Sequence, residues 1–189
     1  KQVARKMAVL GQSDNSMSDI TVRTLVQYGR YAHKKWWAGS DSEDARIVDW
    51  AIERTGMLSL QNRRINALSG GERQRARIAM AIAQKPEMIL LDEPTTYLDI
   101  AHQLEIMELV SALNREEGIT VVMVLHDMNH AARYSDELVL LDNQKIYRTG
   151  RPQELLDNGE LEKVFKVEAE ILTDSEDNSP IFYAKRVRR

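Results

Sequence analysis

A serine, two glycines and a glutamate stand together at Ser69 to Glu72, directly before the helix-favouring segment RQRARIAMAIA. Ser69 is a good helix N-cap, and Glu72 three residues later completes a capping-box pattern. Gly70 and Gly71 leave the first free N–H groups of the helix uncovered by side chains, and such a helix start binds anions such as phosphate. A well-capped structural helix is the alternative, although it would favour alanine over paired glycines. The neighbouring motifs must decide between an anion-binding helix start and a structural helix.

Two adjacent carboxylates, Asp92 and Glu93, follow the apolar run MILL. Open α/β sheets bind ligands at the carboxyl ends of their strands, so this pair is predicted to project from the binding edge. One carboxylate can hold magnesium, often through water, while the other orients or deprotonates an attacking water. An ordinary acidic strand end is the alternative, and Pro94 ends the strand in either case.

A histidine, His126, closes the next apolar run, TVVMVL. Its imidazole could contact a γ-phosphate beside the water of Glu93, whereas a solvated strand-end histidine is the alternative. The segment HDMNH also places His130 four residues after His126, the spacing of helical zinc hydrolases. Those enzymes carry glutamate where Asp127 stands, and His126 is expected at a strand end rather than on a helix, so zinc is the weaker interpretation.

Alternating strands and helices must position these residues. Apolar runs predict strands at Met7–Leu10, in MILLDEP and in ITVVMVLHD, and their lack of alternation is typical of strands buried on both faces. Helices are predicted in TVRTLVQYGRY, in DSEDARIVDWAIERTG and after Ser69. Another lies between the last two strands, with a buried face of Ile106, Leu109, Val110 and Leu113. This order indicates an α/β fold with a parallel sheet.

The remainder of the chain is predicted to hold smaller elements. ELVLLDNQKIYRTG indicates two strands joined by a turn at Asp142-Asn143. Short helices around Glu154 to Phe165 and a strand near Ile181 to Ala184 complete the pattern.

The composition of the 189 residues is that of a globular protein, with 43% hydrophobic and 29% charged residues. The absence of cysteine excludes a disulfide scaffold and thiolate zinc sites. A net charge of −3 gives no overall attraction to nucleic acid, and no apolar run is long enough to cross a bilayer. A cytoplasmic protein that binds no nucleic acid is the simplest expectation.

Together these motifs resemble the ATP-binding cassette (ABC) family of ATPases, over essentially the whole chain. LSGGERQR (Leu68 to Arg75) resembles its signature motif, MILLDEP its Walker B strand, and YLD (Tyr97 to Asp99) its D-loop. His126 matches the switch histidine, and Gln12 after MAVL matches the Q-loop glutamine. Five elements in the right order make the resemblance specific.

The resemblance implies a P-loop NTPase-like core, a parallel sheet flanked by helices, with an inserted helical subdomain. The chain would divide into 1–12 (end of the N-terminal core and Q-loop), 13–83 (helical subdomain), 84–150 (α/β core) and 151–189 (C-terminal extension). The cofactors would be ATP and Mg²⁺, bound in a head-to-tail homodimer. Asp92 and Gln12 would serve magnesium, Glu93 would be the catalytic base, and His126 would sense the γ-phosphate. The signature residues Ser69, Gly70, Gly71 and Glu72 would contact ATP held by the opposite subunit. The D-loop residue Asp99 would be a further cofactor-binding residue.

The finer resemblance is to ATPase subunits that energise import of ferric siderophores, haem or cobalamin, carried by ITVRTLVQYGRYAH, DEPTTYLDIAHQLE and the tail GRPQELL…LEKVFKVEAEIL. Gly11, where proline is usual, and Thr24, where an acid would complete a cap, depart from that pattern. The implied partners are membrane permease subunits and, indirectly, a solute-binding protein, at the inner face of the cell membrane. The aromatic and basic segment YAHKKWWAG (Tyr31 to Gly39) could touch the permease or lipid, or pack Trp36 and Trp37 in the core.

The phosphate-binding loop G-x-x-x-x-G-K-[ST] is missing from the sequence, which begins at Lys1 without methionine. We expect the loop upstream, in a longer import ATPase of which these 189 residues are a part; the 189 residues alone would then bind and hydrolyse ATP poorly. A short, catalytically silent partner that completes another subunit's site is the alternative, and a non-transport cassette ATPase is a further one.

Overall fold

A computed structural model describes residues 6–11, 19–33, 42–175 and 178–188. Its strands are β1 (Met7–Leu10), β2 (Met88–Asp92), β3 (Thr120–Val124), β4 (Leu138–Asp142), β5 (Lys145–Gly150), β6 (Val167–Thr173) and β7 (Pro180–Val187). Its helices are α1 (Val22–Tyr28), α2 (Ser42–Arg54), α3 (Gly70–Ala83), α4 (Ile100–Glu117), α5 (Met128–Tyr134), α6 (Pro152–Asp157) and α7 (Glu160–Phe165). The chain divides into two compact units, Lys1–Val124 and Leu125–Arg189. The four-part division predicted from the sequence stays a prediction.

The first unit is built on a sheet of order β1-β2-β3, and its strands are parallel, as the sequence predicts. The register pairs Ala8 with Ile89 and Ile89 with Val121, and these side chains belong to one apolar core. Helices α3 and α4 contribute the facing apolar side chains. The buried face of α4 is Ile106, Met107, Val110 and Leu113, whereas Leu109 is only half-buried.

The opposite face of this sheet corrects the prediction that the strands are buried on both faces. Val9 is 61% exposed, and Val122 and Val124 of β3 are 47% and 53% exposed. Alternation along β3 turns Val121 and Met123 toward the core and the intervening valines away from it. The continuous apolar run of β3 therefore indicates a strand, but it does not indicate that both faces of the strand are buried.

Helices α1, α2 and α3 pack together at one buried ion pair. Arg30, just after α1, donates from Nε to Asp44 of α2 at 2.7 Å and from Nη1 to the Ala83 carbonyl at 2.8 Å. The side chains of Arg30 and Asp44 are only 8% and 20% exposed. Gly29 permits this close approach, because a Cβ there would lie 3.1 Å from Cβ of Ala83 and would overlap the Met80 carbonyl.

The third helix is also joined to the first strand. Nη2 of Arg77 donates to the carbonyl of Gly11 at 2.6 Å, and Nε2 of Gln84 donates to the carbonyl of Met7 at 3.1 Å. Helix α3, which carries the signature residues, is therefore hydrogen-bonded to the strand that leads toward Gln12.

The second unit has its own small core, formed by Ala132, Leu140, Leu155, Leu156, Leu161 and Phe182. Strands β4 and β5 form the predicted hairpin, with the turn at Asn143 and Gln144, one residue later than predicted. Both residues have positive φ, 48° and 61°, as a tight hairpin turn requires. The predicted last strand, β7, pairs with β6, a strand that the sequence analysis did not predict.

No helix within the described ranges combines the length and the apolar character needed to span a bilayer.

Candidate functional site

The signature start, Ser69–Glu72, forms the capping box that the sequence predicts. Ser69 has extended backbone, and its Oγ accepts a hydrogen bond from the Glu72 N–H at 3.2 Å. Glu72 Oε2 in turn accepts from the Ser69 N–H at 2.7 Å. Two of the backbone donors at the helix start are thereby satisfied by side chains.

The capping box makes Glu72 sensitive to acid. Its pKa is held below the ordinary value of 4.5, first because it accepts the backbone N–H of Ser69 and then because it bonds the Ser69 side chain. A carboxyl with a depressed folded-state pKa stabilises the fold fully above its unfolded pKa. That contribution is lost as the pH falls through the folded value.

Glu72→Gln is therefore expected to remove part of the pH dependence of stability. Glutamine keeps an acceptor for the Ser69 N–H but cannot titrate, and capping interactions of this kind contribute about 1 kcal/mol. Thermal unfolding at about pH 6 and about pH 3.5 should show wild type losing more stability on acidification than the variant. Equal losses in both proteins would contradict the assignment.

The Walker B carboxylates lie at the end of the middle strand of the sheet. Asp92 is the last residue of β2 and is exposed. Glu93 follows with φ of 49°, an uncommon conformation for a residue with a side chain, and its N–H donates to the Val124 carbonyl at 3.1 Å. Thr96 Oγ1 donates to Glu93 Oε2 at 3.0 Å. One hydrogen bond thus fixes the backbone of Glu93 in the turn after β2, and another fixes its carboxylate.

The D-loop, Tyr97–Asp99, leads directly into α4. Tyr97 has φ of 64° and is 98% exposed. Asp99 is the N-cap of α4: its Oδ1 accepts from the His102 backbone N–H at 3.0 Å, and His102 Nδ1 lies 2.8 Å from both carboxylate oxygens. These bonds, the backbone one first, lower the pKa of the Asp99 carboxyl.

The structure brings the signature start against the D-loop segment. A Cβ on Gly70 would lie 3.2 Å from Leu98 Cδ2, and one on Gly71 would overlap the His102 ring. Gly70 is exposed and Gly71 is buried. The backbone at Gly70 is therefore exposed, whereas the backbone at Gly71 lies close to His102 of α4.

Two predicted site residues, Gln12 and His126, do not belong to the arrangement described above. Gln12 lies outside the described residues, as do Trp36 and Trp37 of the aromatic segment. His126 is exposed in the second unit, two residues after β3 and just before α5, whose N-cap is Asp127. His126 is therefore not on a helix with His130, which removes the basis of the zinc interpretation.

Two residues of the site were missed by the sequence analysis, Thr96 and His102. Each lies three residues after a predicted site carboxylate, Glu93 and Asp99, and each donates to it. The local signal was available only at Asp99, since an Asp side chain at a helix start commonly accepts a backbone N–H a few residues later, here that of His102.

Comparisons with known proteins identify the family of the chain. Residues 1–96 match the family model described as ABC transporter. The chain therefore belongs to the ABC transporter family, and its fold is that of the family's ATPase domain.

Individual similar proteins indicate which members of the ABC transporter family the chain resembles. The iron(3+)-hydroxamate import ATP-binding protein FhuC of Bacillus subtilis (strain 168) is 48% identical over 181 residues, which cover 96% of this chain and 67% of that protein. A metal-chelate type ABC transporter in an inward-facing conformation is 27% identical, with a TM-score of 0.86 over 97% of this chain and 73% of its own. A bacterial ABC transporter cassette solved as a dimer is 31% identical, with a TM-score of 0.66 over 79% of this chain and 64% of its own. This ABC ATPase domain is thus similar to those of iron-chelate importers and spans 67% of the length of FhuC.

Proposed function

We propose that the protein carrying this chain hydrolyses ATP to drive the import of a ferric siderophore. The proposed ATPase activity is supported by one observation: Thr96 hydrogen-bonds the carboxylate of Glu93, which directly follows Asp92 at the end of β2. The cargo is supported by the 48% identity to an iron(3+)-hydroxamate import ATP-binding protein. Haem and cobalamin are the other cargoes that the sequence resemblance allows.

Glu93 is proposed as the catalytic base. It accepts a proton from the water whose oxygen attacks the γ-phosphorus, and the products are ADP and inorganic phosphate. The hydrogen bond from Thr96 orients the carboxylate, which belongs to a residue of positive φ directly after the strand. His126 is proposed to contact the γ-phosphate.

Asp92 and Gln12 are proposed to hold Mg²⁺. An exposed carboxylate at a strand end fits this ion, which is commonly bound by one or two carboxylates together with substrate phosphates and waters. The part of the chain that the structure describes has no cluster of three or more metal-ligating side chains, so the nucleotide would complete the shell. The bound ion would neutralise charge on the β- and γ-phosphates.

The partners are proposed to be a second ATPase subunit, permease subunits in the membrane and, indirectly, a solute-binding protein. Ser69–Glu72 and Asp99 would then complete the site of the opposite subunit. The exposed side chains of Tyr97 and Ile100, at 98% and 76%, flank Asp99 and offer apolar area to such a contact. The protein would lie on the cytoplasmic face of the membrane.

The proposed function is tested by uptake in cells that lack the gene. Loss of labelled ferric hydroxamate uptake, restored by the intact gene and not by a Glu93→Gln copy, is the expected result. Parallel measurements with a ferric catecholate, haem and cobalamin identify the cargo. Unchanged uptake of all four would refute the import role. Stimulation of another subunit's ATPase, without activity of its own, would favour the silent partner.

A further inference from the structure

The second glycine of the signature start is covered by a histidine. Gly71 is buried at the second residue of α3. A Cβ there would lie 2.7 Å from Cγ of His102 and 3.0 Å from its Cβ, closer than side chains normally approach. Rotation of the ring about its Cβ–Cγ bond moves neither atom. His102 therefore occupies the space that a side chain at position 71 would need.

Asp99 holds His102 in this place. The ring Nδ1 lies 2.8 Å from each oxygen of the carboxylate, and the His102 backbone N–H donates to the same group at 3.0 Å. Swinging the ring away from Gly71 would break the side-chain bond to Asp99. The ring is thus fixed on one side by a carboxylate and on the other by backbone.

We propose that His102 is a positioning residue that sets the start of α3 against Asp99, and that residue 71 is glycine because the ring needs its space. The inference rests on the proposed function, in which both Ser69–Glu72 and Asp99 serve a nucleotide site. A displacement of about 1 Å in such a site can cost about 100-fold in rate. The contact therefore matters for turnover as well as for stability.

The test is a double-mutant cycle in the complete protein, with kcat and the KM for ATP as readouts. Gly71→Ala is expected to lower kcat by about 100-fold, and His102→Ala by about tenfold. The double variant should return to within about threefold of His102→Ala, because the ring that obstructs the new methyl group is gone. His102→Asn, which keeps a donor toward Asp99, should retain more activity than His102→Ala.

Gly70→Ala is the matched control. Its Cβ would meet Leu98 Cδ2 at 3.2 Å and not His102, so His102→Ala should not rescue it. If kcat of the Gly71→Ala, His102→Ala protein fell by the product of the two single losses, the proposal would be overturned.

Thermal unfolding of the same proteins separates this inference from the proposed function. The steric coupling between residues 71 and 102 should appear as a higher melting temperature of the double variant than of Gly71→Ala, whether or not ATP is hydrolysed. A wild type without ATPase activity would count against the function, and the unfolding cycle would still decide the inference. Failure of both Gly71→Ala and the double variant to fold would overturn it.

Discussion

Glu93→Gln is expected to lower the kcat for ATP hydrolysis by about two to four orders of magnitude and to leave ATP binding intact. Glutamine matches glutamate in shape and can still accept the hydrogen bond from Thr96, which holds the side chain at 3.0 Å. It cannot accept the proton of the attacking water. Steady-state phosphate release measures kcat, and titration with a fluorescent ATP analogue measures binding in the same preparation.

Glu87→Gln is the control for this substitution. Glu87 lies just before β2, at the opposite end of the strand from Glu93, and is an exposed partner of Lys6 at 2.9 Å. The same chemical change there should leave kcat within about twofold, since an exposed ion pair contributes little. Comparable turnover by Glu93→Gln and Glu87→Gln would remove Glu93 from the role of base.

Arg30→Met is expected to lower the free energy of unfolding by about 3–5 kcal/mol, the usual cost of removing one member of a buried ion pair. Asp44 would be left largely buried without its cation, and the Ala83 carbonyl would lose its donor from Arg30. Three helices meet at this pair, so the loss should be cooperative. Urea unfolding followed by circular dichroism measures it.

An exposed ion pair between α1 and α2 provides the comparison. Arg23 contacts Asp49 at 2.7 Å, but the two side chains are 32% and 60% exposed. Arg23→Met should therefore cost only about 0–1 kcal/mol. Equal losses for Arg23→Met and Arg30→Met would mean that burial does not distinguish the two pairs.

Features that depend on neighbours in sequence were predictable. The capping box follows from Ser69 and Glu72 three residues apart, and the order of apolar runs gives the parallel strands. The placement of Asp92 at a strand end is likewise local, and so is the Asp99 cap, which the sequence analysis did not predict. The roles proposed for these residues came from their combination, since each motif alone has a structural alternative.

Features that depend on residues distant in sequence were not predictable. Nothing near Arg30 indicates that it bonds Ala83, 53 positions later, and Gly71 gives no sign of the ring of His102. The exposure of Val122 contradicts its apolar run, because hydrophobicity records a tendency to be buried and not the presence of a covering element. Strand β6 was missed although Val167, Ala169 and Ile171 alternate toward the small core of the second unit.

Two hydrogen bonds, from Arg77 in α3 to the Gly11 carbonyl just after β1 and from the C-cap residue Gln84 to the Met7 carbonyl in β1, hold the helix at two points. Their donors, Arg77 and Gln84, are seven residues apart, about 10 Å along the helix axis at a rise of about 1.5 Å per residue. A slip of about 1 Å at Gln84 tilts the axis about Arg77 by only about 5°, and Ser69, about 12 Å beyond Arg77, then moves by about 1 Å. The backbone at Met7 and Gly11 therefore limits how far Ser69, at the opposite end of the helix, can move.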